Sequence, residues 1–183
     1  MEAREHPRGT EAGFTMVATM ASLVVTAVVV ALVLSSTLGS HGHPQPSVTN
    51  APGVGLADNL QAQQALSTSL TAATTSVAGT GDYSSVTPAM LSAANPSLTY
   101  VTGPSSSSSV VSVANPSSGG SITLVVRAAS GTCWVVWAGS GGPWYGAQTG
   151  QASCTAPSLD ADPTPSPVSS TAIGWQRGGF PAV

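Results

Sequence analysis

The sequence predicts an α+β protein, with an N-terminal apolar helix, a linker, and then an amphipathic helix packed on an antiparallel β-meander. Three observations carry this reading. Residues 14–34 contain no charge, Pro or Gly, and their only polar members are Thr15, Thr19, Ser22 and Thr26. Between residues 56 and 77 the large apolar side chains fall on one side of a helical wheel. From Leu98 onward the period changes to two, in short Val-rich runs separated by Ser, Gly and Asn-Pro.

As an α-helix, residues 14–34 would be about 30 Å long, the thickness of the hydrocarbon part of a bilayer. Val24, Val25 and Val28 are mediocre helix formers in water. In lipid, however, the backbone must satisfy its own hydrogen bonds, and a helix is the only single-segment solution. Ser35-Ser36-Thr37 and then Gly39, Gly42, Pro44 and Pro46 end it. The predicted helix therefore covers 14–38 and a flexible linker covers 39–57. His41 and His43 lie in that linker with no third ligand nearby, so they read as exposed histidines in preference to a metal pair. Arg4 and Arg8 precede the helix and no basic residue follows until Arg127, which keeps the N-terminus cytoplasmic and turns the rest of the chain outward.

A globular domain is expected over 58–156. Asp58 is a candidate N-cap, with Gln61 reaching back in a variant of the capping box. Leu56, Leu60, Leu66, Leu70, Ala73 and Val77 fall within about 140° of a helical wheel, and Gln61, Gln64 and Thr68 fall outside it. That stripe is the expected sheet-facing side. Gly79-Thr80-Gly81-Asp82-Tyr83 is a turn. Thr87 then caps a short helix with Pro88 in its first turn, and Asn95-Pro96 stops it.

Leu98-Thr99-Tyr100-Val101, Val110-Val111-Ser112-Val113, Ile122-Thr123-Leu124-Val125-Val126 and Cys133-Trp134-Val135-Val136-Trp137 read as strands. Trp144-Tyr145 is a candidate edge strand after the hairpin loop Gly139-Ser140-Gly141-Gly142. Short connections favour an antiparallel meander. A Pro-rich tail with an apolar end is expected over 157–183. The stretch from Ala156 to Pro167, with Pro157, Pro163, Pro165 and Pro167, should be irregular. Ile173, Trp175 and Phe180 are too apolar for a plain disordered tail and are candidates to dock back on the sheet.

Composition limits what such a chain can do. Only 6% of the 183 residues are charged, the net charge is −3, and the four basic residues are Arg4, Arg8, Arg127 and Arg177. With no basic patch, nucleic acid is not an expected partner. Cys133 and Cys154 are the only cysteines, and in an outward-facing domain two thiols at this spacing read as one disulfide. Such a bridge contributes about 3 kcal/mol in the loop-entropy treatment. No catalytic constellation stands out. The histidines, His6, His41 and His43, sit in the leader and linker, and Asp160 and Asp162 precede Pro163 and Pro165 with no element to fix their separation. No phosphate-binding glycine motif lies between a strand and a helix, so no enzyme activity, cofactor or metal is expected. Trp134, Trp137, Trp144, Tyr145 and Trp175 are read as core or sheet-face residues ahead of a binding surface.

The N-terminus narrows the function. The polar leader over 1–13, the pair Gly13-Phe14, Thr15 and the aliphatic run behind it resemble the type IV prepilin signal. The resemblance implies that a membrane-embedded prepilin peptidase cuts between Gly13 and Phe14 and that the new Phe14 amine is N-methylated. An uncleaved anchor, or a signal peptide cut near Ser35-Ser36-Thr37-Leu38-Gly39, is the alternative. Asp82-Tyr83, Thr87-Pro88 with Leu91, Asn95-Pro96-Ser97-Leu98-Thr99-Tyr100-Val101, the run from Val125 to Trp134, and Cys154-Thr155-Ala156 are similar to the globular part of pilins from Gram-positive bacteria. The two resemblances imply a pilin-like subunit of an extracellular type IV pilus. Its partners would be other pilin subunits, the peptidase, the pilus assembly machinery and, before assembly, the cytoplasmic membrane.

Two other roles fit the same signals: a pseudopilin of a type II secretion or DNA-uptake system, and a single-pass surface protein that binds a ligand. The family usually has Glu at the fifth mature position, where this chain has Ala18. That departure points to a minor subunit that initiates the filament or sits at its tip.

Overall fold

The computed structural model describes residues 52–183. The expected leader over 1–13, the apolar helix over 14–38 and the junction Gly13–Phe14 lie outside the described residues. The first element, α1, runs Pro52–Ser76, so the end of the expected linker is helical and Asp58 lies inside the helix instead of capping it. Pro52, Gly53 and Gly55 suggest a linker, yet a proline is tolerated in a first turn and each glycine costs only about 1 kcal/mol, which tertiary packing can offset. Among the described residues no helix is long and apolar enough to cross a membrane.

A 3₁₀ turn over Tyr83–Ser85 follows, capped by Asp82, whose Oδ1 accepts from Ser84 N at 2.8 Å. The helix α2, Pro88–Ala94, is capped by Thr87, whose Oγ1 accepts from Met90 N, with Pro88 in the first turn as expected.

Six strands form one sheet in sequence order: β1 Thr99–Val101, β2 Val110–Ala114, β3 Ser121–Arg127, β4 Cys133–Gly139, β5 Gly142–Gln148 and β6 Gly174–Gln176. From β2 to β6 every neighbour is antiparallel, but β1 runs parallel to β2, so the sheet is mixed and not a pure meander. A parallel neighbour normally needs a long crossover. Here β1 has three residues and is only about 10 Å long, so residues 102–109, which can reach about 26 Å, return the chain to its starting end. Ser105 fixes that return. It is buried, its Oγ lies 2.6 Å from the Val110 carbonyl to which it donates, and it accepts from Arg127 N at 2.8 Å.

The helix α1 covers one face of the sheet. Ala62, Ala65, Leu66, Ala73 and Val77 meet Val111, Val113, Leu124, Val126, Trp134 and Val136 in a single core. The sheet-facing stripe is thus shifted from the expected one. Leu66, Ala73 and Val77 belong to it, but Leu56 and Leu60 are 61% and 56% exposed, and Ala62, Ala65 and Ser69 take the central positions. Small residues let the helix lie close to a face that already carries Trp134 and Tyr100. Ser69 Oγ and the Tyr100 hydroxyl hydrogen-bond at 2.9 Å, and Trp134 Nε1 donates to Asn59 Oδ1 at 3.2 Å.

Candidate functional site

Alternation along β3 and β4 places Val125, Val135 and Trp137 on the face opposite α1, where they pack with Trp144, Trp175, Cys133, Cys154 and Ala156. Among the described residues no helix covers this face. The chain after β5 crosses it as irregular backbone, so its polar groups must find partners outside regular secondary structure. Cys154 O accepts from Ser105 N at 2.7 Å, Ala156 N donates to the buried Ser112 Oγ at 2.9 Å, and Leu159 O accepts from both Ser121 Oγ and Trp137 Nε1. The disulfide joins Cys133 at the start of β4 to Cys154, with Cα atoms 5.5 Å apart, and closes the β4–β5 hairpin into a loop.

Farther along, Trp175 N and O exchange backbone hydrogen bonds with Ser166, while β6 pairs with β5 on its other side. Gly146 is required where β6 crosses. A side chain there would meet Ile173 and Trp175 at under 3 Å. Arg177 stacks 4.3 Å from the Trp144 ring centroid, pairs with Asp162 at 3.1 Å and donates to Gly141 O. Phe180 closes the end, edge-on to Trp134 and Tyr145. The apolar end of the C-terminal segment therefore does dock on the sheet.

Compared with protein-family models, with curated proteins and with solved structures, the chain matches none. The function must be read from the residues themselves.

The four tryptophans are all at most 9% exposed, which makes them core residues and leaves no aromatic binding surface of the kind considered for them. Asp160 and Asp162 do not act as a pair, since Asp162 is engaged by Arg177. Among the described residues no three His, Cys, Asp or Glu side chains gather. Burial pushes the hydroxyls of Tyr83 and Tyr100 above the ordinary tyrosine range, with hydrogen bonds from Ser69 and Asn95 partly opposing this at Tyr100. The Tyr100 hydroxyl meets the buried Ser69 hydroxyl, which is bonded to the Ala65 carbonyl of its own helix. Of the expected site residues, Cys133 and Cys154 are brought together, and Gly13 and Phe14 lie outside the described residues.

The exposed side of α1 is the other surface to consider. It begins with Leu56 and Leu60 and continues into Gln64, Ser67, Thr68 and Thr71. An open groove of about 710 Å³ between α1 and α2 is lined by Thr68, Thr71, Thr75, Ala94 and Asn95, all uncharged. The hydroxyls of Ser67, Thr68 and Thr71 donate to carbonyls one turn back, so toward solvent they offer lone pairs. The residues that line this groove carry hydroxyl, amide and methyl groups and no charged side chain. Sequence reasoning missed the exposure of Leu56 and Leu60 because it weighed apolar size and gave no weight to closeness of approach.

Proposed function

We propose that this chain is a type IV pilin-like subunit with a structural and not a catalytic role. Its N-terminal apolar helix holds the precursor in the cytoplasmic membrane and, after cleavage between Gly13 and Phe14, enters the core of an extracellular filament that carries the domain outside. The observation that carries this reading is the junction itself, a polar leader ending in Gly13 ahead of Phe14-Thr15 and an uncharged run to Leu34. A spanning run of this length needs no other element to satisfy its backbone. The domain supports the reading in two ways. It is a helix on a sheet with the helix ahead of the described strands, and the exposed Leu56 and Leu60 give the first part of that helix an apolar patch where neighbouring subunits would lie.

Ala18 places the subunit. In a bundle of apolar helices an unpaired Phe14 amine is costly to bury, and a carboxylate at the fifth mature position of the next subunit normally compensates it. Ala18 cannot. A subunit that begins the filament has no predecessor and needs no such group, so this chain belongs at the initiating end or tip and in low abundance. Immunogold labelling and quantitative proteomics of sheared filaments test this. Sparse labelling confined to filament ends, with this chain a minor component, is expected. Dense labelling along the shaft would contradict it.

A further inference from the structure

The run Pro163-Thr164-Pro165-Ser166-Pro167 is the kind of Pro-interleaved hydroxyl segment that serves as an acceptor for O-linked sugars. Composition alone offers Thr164 and Ser166 equally, since each lies between two prolines and each is exposed. The structure separates them. Ser166 Oγ donates to Ile173 O and accepts from Trp175 N, both at 3.2 Å, and the Ser166 backbone pairs with Trp175 on the outer side of β6. Its hydroxyl is committed to holding the segment on the sheet.

Thr164 has no such duty. The segment is pinned two residues before it by the Asp162–Arg177 ion pair and two residues after it by the Ser166–Trp175 ladder. Between these anchors the Thr164 hydroxyl makes no hydrogen bond to a described residue. Pro165 disfavours helical backbone at Thr164, and the segment there belongs to no helix or strand. An acceptor site must offer a free hydroxyl on accessible chain, and here the flanking anchors hold the segment before binding, so part of its ordering entropy is already met by the fold. Several other hydroxyls of the domain are occupied or covered. On α1, Ser67, Thr71 and Ser76 donate to their own helix, and Ser105, Ser112, Ser121 and Thr123 are buried. The Asn-x-Ser sequences at Asn95 and Asn115 are blocked by Pro96 and Pro116, so an N-linked route is closed there.

We infer that Thr164 is an O-glycosylation site, the acceptor for a neutral saccharide transferred from an activated glycosyl phosphate. Thr164 Oγ forms the bond to the anomeric carbon. The bond from that carbon to the phosphate oxygen breaks, the phosphate leaves with the electron pair, and the hydroxyl proton passes to a base of the transferase. The site does not depend on filament assembly, since it needs only the folded domain to meet such an enzyme.

Full-length protein purified from its own cells, cleaved after arginine, gives the fragment that follows Arg127 and ends at Arg177. Mass spectrometry with fragmentation that preserves the adduct should find saccharide on Thr164. Occupancy should fall to background in Thr164→Val and persist in Thr164→Ser and Ser166→Ala. Thr164→Val should melt at the wild-type temperature, because the hydroxyl it removes has no partner. An unmodified wild-type fragment, a phosphate in place of sugar, an adduct on Ser166 or another residue, or a lowered melting temperature for Thr164→Val would each overturn the assignment.

Discussion

The two faces of the sheet are covered by different means. Under α1 the cover is regular, and its backbone is bonded within the helix, so the contact can be almost wholly apolar, with Leu66, Leu124, Trp134 and Val136 at most 1% exposed. On the opposite face the cover is irregular chain, and each crossing backbone group needs its own partner, which is why Ser105, Ser112 and Ser121 are buried there. One face is held chiefly by area. The other is held by a covalent bridge, a few side-chain hydrogen bonds and three tryptophans.

That contrast orders the expected effects of mutation. Trp134→Ala removes the largest side chain of the helix-side core, together with its bond to Asn59 and its edge contact with Phe180. A loss of about 3–5 kcal/mol in denaturant unfolding is expected. A loss under about 1 kcal/mol would mean that the helix is not held through this residue.

Opening the Cys133–Cys154 bridge comes next. Reduction, or replacing both cysteines by Ser, should cost about 3 kcal/mol and lower the melting temperature by several degrees or more. It should also raise proteolysis between residues 150 and 172 while leaving α1 protected. Free thiols in freshly purified, unreduced protein would contradict the bridge. Equal loss of protection in helix and tail segment would show that the two faces do not differ as described.

Ser112→Ala is the smallest change. It leaves the buried Ala156 N–H without its acceptor, at an expected cost of about 1–3 kcal/mol. Amide hydrogen exchange should accelerate at Ala156 and Leu159 ahead of α1. An unchanged exchange pattern would show that water or another carbonyl replaces the hydroxyl.

The same contrast explains what could be read from the sequence. The strands β2, β3 and β4 are legible because Val and Ile dominate them, and the Thr87 cap is legible because capping is local. The strand β5 is longer than Trp144-Tyr145 suggests, since Gly142, Pro143, Gly146 and Ala147 carry little strand signal and are recruited by pairing with β4. The direction of β1 is set by the route through Ser105, a long-range arrangement with no sequence period. The path over the second face is likewise aperiodic, and only Ile173, Trp175 and Phe180 hinted at it. For the proposed function the balance reverses. The Gly13–Phe14 junction and Ala18 are legible only in the sequence.

That junction is therefore where the reading is most directly tested. N-terminal sequencing and intact mass of the protein from isolated membranes or filaments should give a mature chain that starts at Phe14 and carries an N-methyl group. A chain that retains Met1, or one that starts after Gly39, would contradict the pilin-like assignment.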